Sequence, residues 1–541
     1  MQYIIIVILI FGTVLIPDCF VVDNSNLIRN YFFSVISLIL LTTNMICGLL
    51  KDIKVDPLSL LIFCILTIAV IRNPYDTRLF SYTISIISLV IILYTFNYSD
   101  IGIAKCIIII CALETIICYM QFWGIAEKAE GTDLVVGTFD NPNTFGIFAS
   151  LCFPFIILLS KQSRFRYFCV LLISAIIILL FLMKCRSSLI CIILSYIIIN
   201  GKSKTLLKQN HLVQICVLML IVCFWEYKSN LGRLLILLTS SKLLWHMPFY
   251  GYAKDGFTKF YMEEQSAILN EFDCFVGIEG NPMDPLNEYI SYVLNVGHIG
   301  IFVIILLIHS VIKGHGLSNR YFFSCLLSII FLSAVQKCLN YSFVWVFALL
   351  SITQENKNKL YWNLNNLRFP LIGLCTICLY LISKDINFEL NWKNAYDKMY
   401  KNSVDLYSID DYERLYKNWN GNPYFLYNYA SVLHINEDYN RSNQLLDQYN
   451  KYIVDYQGTM LKAENFLKME MYNFAAIEFN KSYRMCPSRF APLWGCLQCY
   501  NKTNKEEYIK TAKQIKDKQV KVDSYNIRLM KKHCEDIINE N

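Results

Sequence analysis

Apolar runs of 14 or more residues, separated by short polar connections, fill the chain as far as Lys384, and from Asp385 to Asn541 the pattern becomes that of an ordinary polar sequence. The runs fall at about residues 2–17, 31–50, 57–71, 79–96, 101–122, 144–160, 167–183, 187–200, 211–225, 289–312, 321–336, 339–352 and 369–383. An upright bilayer-crossing helix takes about 20 apolar residues, so several runs are short, and the pattern predicts an all-α polytopic transmembrane protein of about 12–13 spans. It divides the chain into a transmembrane part, 1–384, and a soluble helical part, 385–541, with one large loop at 226–288. The first run lacks a basic leading region and a small-residue cleavage site, and further spans follow it, so it is expected to stay as a helix.

Composition sharpens this picture. Hydrophobic residues make up 55% of the chain and charged residues 17%, where a soluble protein carries about 25% charged. The net charge of +7 is scattered over short connections, which argues against nucleic acid as a partner and for orientation of the spans. Four even-numbered connections are basic: Lys161, Arg164 and Arg166; Lys202, Lys204 and Lys208; Lys313 and Arg320; Lys357, Lys359 and Arg368. With a cytoplasmic N-terminus, the odd-numbered connections lie outside, among them the acidic stretch from Trp123 to Asn143 and the large loop. An odd number of spans sends the C-terminal part outside as well. The connection after the third run, with Arg72 and Arg78 against Asp76, fits this scheme poorly. Most of the 21 cysteines fall in apolar runs, where a thiol acts as a small hydrophobe. Cys496-Leu-Gln-Cys499 has a metal-like spacing but no companion ligands, so neither metal nor cofactor is expected.

The soluble part repeats at a period of about 33 residues. Leu426, Tyr429, Ala430 and Leu433 recur as Thr459, Lys462, Ala463 and Phe466; Ser442 and Leu446 recur as Ala475 and Phe479; and Pro487 ends the repeat. This is similar to the tetratricopeptide pattern, in which small residues let paired helices approach; an irregular helical bundle is the alternative. Such a surface would bind a protein partner or acceptor more readily than catalyse.

Polar backbone is not tolerated in lipid, so chemistry is expected in the polar islands at the ends of the runs. The first is Gly137-Thr138-Phe139-Asp140-Asn141-Pro142-Asn143-Thr144-Phe145-Gly146, in which Asn143 can cap the sixth helix and its first-turn amides can receive an anion; a plain turn and cap is the alternative. The second is Lys184-Cys185-Arg186-Ser187-Ser188, with Arg186 pressed against apolar runs, where a cation either snorkels to lipid phosphate or binds an anionic substrate. The third is the large loop, with Gly232-Arg233, Pro248, Gly251, Phe257 and Tyr261, closing on Asn287-Glu288-Tyr289 and then Gly297-His298-Ile299-Gly300. A loop of this length is usually functional; pairing of Arg233 with a loop carboxylate is its bland explanation.

In their order, G-T-F-x-N-P-N-x-F-G, a following arginine, G-R with P-x-x-G-x-x-x-x-x-F-x-x-x-Y, and N-E-Y with G-x-x-G resemble the O-antigen ligase and Wzy polymerase superfamily over about residues 100–310. The resemblance implies a multi-pass protein of a bacterial inner membrane with its loop and tetratricopeptide-like tail in the periplasm. It implies transfer or polymerisation of an undecaprenyl-diphosphate-linked glycan onto a glycan, lipid or protein acceptor. By the same resemblance, Arg186 and Arg233 match diphosphate-binding arginines, Asn143 and Asn287 match motif positions near the site, and Tyr261 and Tyr289 join them as substrate-binding positions. The histidine that ligases place before the closing asparagine is here Leu286. His246 and His298 are near in sequence only, and Glu288, Asp284 or Glu279 are the candidate bases, Glu288 being taken as catalytic. A transporter or flippase of lipid-linked glycan, or a membrane-tethered scaffold acting through its tail, are the competing readings.

Overall fold

A computed structural model of the chain describes residues 2–16, 21–22, 26–48, 52–96, 98–128, 134–200, 227–314, 319–355, 360–364, 367–401, 407–419, 421–520 and 523–540. The expected span at 211–225 and the basic connection at 202–208 lie outside the described residues. The described chain is helical apart from one short ribbon and forms two compact units. The first comprises residues 1–225, 286–289 and 298–393; the second comprises 226–285, 290–297 and 394–541.

The first unit holds α1 (Gln2–Leu15), α2 (Leu27–Ile46), α3 (Pro57–Arg72), α4 (Thr77–Leu93), α5 (Asp100–Phe122), α6 (Pro142–Ser160), α7 (Arg166–Leu182) and α8 (Arg186–Asn200). Polar caps set where several begin: the Asp56, Asp76 and Ser99 side chains accept from the amides of Leu58, Leu79 and Gly102. Helices at 27–46, 100–122, 142–160, 163–182 and 368–399 are long and apolar enough to cross a membrane, and seven shorter apolar helices accompany them. Helix α6 is the most enclosed of the five. Phe148 and Phe155 meet Phe343, Phe347 and Phe322 at centroid distances of 5.3–6.2 Å. These last rings come from α13 (Arg320–Val335) and α14 (Ser342–Glu355).

The connections of this unit sort to two ends by alternation. At one end Tyr3 bonds Ser99, Tyr98 bonds Thr353, Tyr94 bonds Ser59, Asn319 bonds Asp100, and Arg368 bonds the Ile46 carbonyl. The ribbon belongs there as well: β1 (Asp52–Val55) pairs antiparallel with β2 (Leu360–Asn363), Asp52 opposite Asn363. At the other end Arg29 bonds the Ile16 and Thr138 carbonyls, Asn30 bonds the Asn340 carbonyl, and Thr144 bonds Tyr341. All the basic even-numbered connections that are described fall at the first end. Of the two arginines that fit the charge pattern poorly, Arg78 finds an account at the other. Arg78 lies 2.5 Å from Glu389 and 3.6 Å from Asp385, both on α15 (Arg368–Lys401), so its charge is neutralised inside the unit and does not act as a loop charge.

The apolar run at 289–312 is not one helix. It breaks at Gly297 (φ +90°) into α11 (Glu288–Val296) and α12 (His298–Gly314). The reason is long-range: the Tyr252 and Ala253 amides bond the Leu294 and Asn295 carbonyls at 2.7 and 3.2 Å, and a Cβ on Gly251 would stand 2.6 Å from the Gly297 nitrogen. Both glycines of the expected motifs are thus required by one backbone-to-backbone contact within the second unit.

The large loop is largely helical, with α9 (Tyr227–His246) and α10 (Gly256–Glu271), and it packs with the tail. The tail is a run of helices, α16 (Tyr407–Lys417), α17 (Pro423–Ile435), α18 (Tyr439–Tyr449), α19 (Tyr456–Lys468), α20 (Tyr472–Met485), α21 (Ala491–Thr503), α22 (Lys505–Asp517) and α23 (Tyr525–Glu540), in which sequence neighbours pack as hairpins. The repeat residues Ala430, Ser442, Ala463 and Ala475 are fully buried where these helices meet; the Ser442 hydroxyl bonds the Ala430 carbonyl at 2.8 Å. Cys496 and Cys499 are buried free thiols in α21 and pack as core. Among the ties that fasten loop to tail are Thr258 to the Tyr452 carbonyl, Asn281 to Asp455 and Gln457, and the Ser488 amide to Glu279.

Candidate functional site

Four segments of the first unit converge at the end opposite the ribbon. The first opens α6. Asn141, and not Asn143 as expected, is its cap: the Asn141 carboxamide accepts from the Asn143 amide at 2.7 Å, and Pro142 takes the first helical position. Asn143 therefore sits in the first turn. The preceding segment of the motif is folded back by α5. Gln121 accepts from the Val136 and Gly137 amides and donates to the Gly137 carbonyl, all within 3.0 Å. Gly137 has φ +71°, and a Cβ there would lie 2.5 Å from Glu114.

Glu114 and Arg29 are the residues that sequence reasoning missed. Both are charged yet almost without exposure, at 0% and 2%, and a lone buried ion costs several kcal/mol. Thr138 joins them: its hydroxyl and amide donate to Glu114, while its carbonyl accepts from Arg29. Arg29 also stacks 5.2 Å from the Phe139 ring. The only sequence signal for this was the rarity of a glutamate within an apolar run.

The second segment is the turn before α8. Lys184 adopts φ +58°, turning the chain so that Arg186 opens the helix, half-exposed. The Cys185 thiol donates to the Pro142 carbonyl at 3.1 Å, and a Cβ on Gly146 would meet Cys185 and Ser188. Two helix N-termini are thereby held side by side, with their partial positive charge at one place. The third segment is Leu286–Tyr289. The Asn287 carboxamide donates to the Ala334 carbonyl and the Tyr289 hydroxyl to the Ile330 carbonyl, each at 2.8 Å. Leu286, where a histidine was sought, has φ +52°.

The connection from Gln336 to Tyr341 touches all the others. Gln336 donates to Ser187, the Leu339 amide donates to Glu288 at 2.7 Å, and Tyr341 bonds Thr144 at 2.8 Å. It brings Lys337, half-buried between these contacts, as a cation the sequence reading did not single out. Asn143, Arg186, Asn287, Glu288 and Tyr289 thus belong to one cluster, with Lys184 and Lys337 adding positive charge.

Arg233 and Tyr261 lie in the second unit. Arg233 is exposed on α9. Tyr261, expected to bind substrate, is 1% exposed and belongs instead to packing; burial pushes its phenol above the ordinary range. Its hydroxyl donates to Gln265, which in turn donates to the Gly280 and Met485 carbonyls. Of the histidines and alternative bases, His246 pairs with Glu264 at 3.2 Å and Glu279 is taken up by the Gly277 and Ser488 amides. No group of three metal-ligating side chains occurs among the described residues. No protein-family model, curated protein or solved structure matches the chain.

Proposed function

We propose that the protein is a membrane glycan transferase of the O-antigen ligase or Wzy polymerase type, which moves a glycan from an undecaprenyl-diphosphate carrier to an acceptor hydroxyl at the periplasmic face. The observation that supports it most is the convergence of three separate motif segments, at 137–146, 184–188 and 286–289, around one connection. In this reading the acceptor oxygen attacks the anomeric carbon, the bond from that carbon to the diphosphate oxygen breaks, and the diphosphate leaves as an anion. Fixed cations are what such a leaving group needs. In this reading Arg186, with a permanent charge and forked donors, receives it, and the two neighbouring helix N-termini support that role. Glu288, oriented by the Leu339 amide, is the base for the acceptor proton. Arg233 is the second diphosphate ligand carried over by resemblance. The hairpin tail, in its tetratricopeptide-like form, presents an acceptor or partner.

The test is the glycan profile of cells lacking the protein, complemented by wild type, Arg186→Ala or Arg233→Ala. Accumulation of single carrier-linked repeat units means polymerase, and intact polymer stranded on its carrier means ligase or protein transferase. Unchanged glycan from both variants at normal protein level refutes the reading. Transport of lipid-linked glycan draws on the helix break at Gly297, since transporters use interrupted helices; it predicts that carrier-linked glycan accumulates on the cytoplasmic leaflet in the deletion strain.

A further inference from the structure

At the ribbon end of the first unit, away from the candidate site, a cleft of about 400 Å³ opens among the ends of four helices. Leu158 and Ile199, from the last turns of α6 and α8, form an apolar wall; Lys161, Asp100, Asn319, Arg320 and Tyr321 form a polar one. The polar wall is organised. The Lys161 ammonium lies 5.1 Å from the centre of the Tyr321 ring, Asn319 bonds Asp100 at 2.8 Å while capping α13, and Arg320 reaches the Ile199 carbonyl at 3.5 Å. We infer that this cleft binds the phosphodiester headgroup of an anionic membrane phospholipid.

Three features of the cleft carry this. Its lining sets a small apolar wall, Leu158 and Ile199, beside a larger polar one, which matches the headgroup end of an amphiphile entering from the end of a membrane helix. Lys161 and Arg320 against Asp100 leave one net positive charge, which a single phosphodiester with an uncharged head neutralises and a zwitterionic head does not. The volume is roughly that of a dozen water molecules, far more than an inorganic phosphate fills and within the span of small-ligand clefts. Basic pockets between helices at a bilayer surface bind such headgroups. Arg164 and Arg166 follow Lys161 on the same connection but do not line the cleft.

The experiment is native mass spectrometry of the full-length protein from nanodiscs of phosphatidylglycerol or phosphatidylcholine, with thermal unfolding in parallel. Phosphatidylglycerol is expected to stay bound and to raise the melting temperature over phosphatidylcholine. In the double variant Lys161→Gln/Arg320→Gln its retention is expected to fall roughly thirtyfold, the loss of two membrane-facing cations, while Arg164→Gln keeps it. Should the double variant fail to fold, the comparison of the two lipids on wild type and on Lys161→Arg stands alone. Equal retention of both lipids, or undiminished retention by a folded double variant, overturns the inference. So does millimolar inorganic phosphate in phosphatidylcholine discs giving the full stabilisation, which makes the cleft a free-anion site.

Discussion

The two ends of the first unit use charge in opposite ways. At the ribbon end, lysines and arginines sit on short connections and reach the surface. At the other end, besides Lys184 and Arg186 toward the surface, Arg29, Glu114 and Glu389 are buried and Arg78 is half-buried, and their partners are enclosed with them or supplied by the backbone of the connections. The difference extends to the backbone. Among the described residues of this unit, the non-glycine residues with left-handed φ are Lys184 and Leu286, both at the end with the inward charges. Strain of this kind costs about 1–3 kcal/mol and persists only where surrounding structure over-determines it. One end is therefore organised to anchor and orient, the other to hold a few groups in a fixed arrangement against a cost.

The largest test of this contrast removes one inward charge. Glu114→Ala takes the buried acceptor from the Thr138 turn and the nearby carboxylate that offsets the Arg29 charge, and is expected to destabilise by about 3–5 kcal/mol, read as lost folded yield and a lowered melting temperature in detergent. The paired change Glu114→Gln/Arg29→Met is expected to cost much less, and Arg164→Ala at the ribbon end almost nothing. Equal effects of Glu114→Ala and Arg164→Ala would erase the comparison. Next in size is the activity proposed above: on the transferase reading, Arg186→Ala is expected to lower glycan transfer by about 10²–10³, as for loss of one transition-state donor, with Arg186→Lys recovering part and protein level unchanged. Smaller is strain. Leu286→Gly is expected to stabilise by about 1 kcal/mol by unstraining φ, measured by denaturant or thermal unfolding, and Leu286→His is expected to be tolerated because histidine enters this region more readily than leucine. A loss of stability in both shows that the Leu286 side chain, and not its backbone, sets the turn.

The smallest effect lies in the second unit, as a reference outside either end. Burial raises the Asp455 carboxyl above its ordinary 3.8. The folded state then holds its proton to higher pH than the unfolded state, so Asp455 favours folding below about 3.8 and this contribution is lost as pH rises through the raised folded value. Asp455→Asn keeps a capping side chain and is expected to flatten that part of the stability profile; an unchanged profile assigns the pH dependence elsewhere.

Much of the helical framework was legible from the sequence. The runs at 101–122, 144–160 and 167–183 became α5, α6 and α7 within a few residues, because a long apolar run with polar flanks has few other outcomes. The features it concealed are those decided at a distance. The break at Gly297 depends on Gly251, the ribbon on two short stretches some 300 residues apart, and the helices of the large loop on the tail they pack with. Of the motif residues, Asn143, Arg186 and Glu288 lie in the first turns of helices, as the polar islands at the ends of the runs led one to expect. The motif spacing did not separate Tyr261, whose burial comes from Gln265 and the tail, and it did not find Thr138 as the joint between Arg29 and Glu114.

The ribbon also bears on the order of assembly. Asp52–Val55 is synthesised before α3, and Leu360–Asn363 only after α14. Until the second strand arrives, the first is an unpaired edge of the kind that recruits foreign strands. Closing it awaits a strand that follows α14 and precedes α15, so ribbon pairing comes late in assembly of the first unit but before its last helix, and a chain halted before residue 360 would expose that edge to quality control.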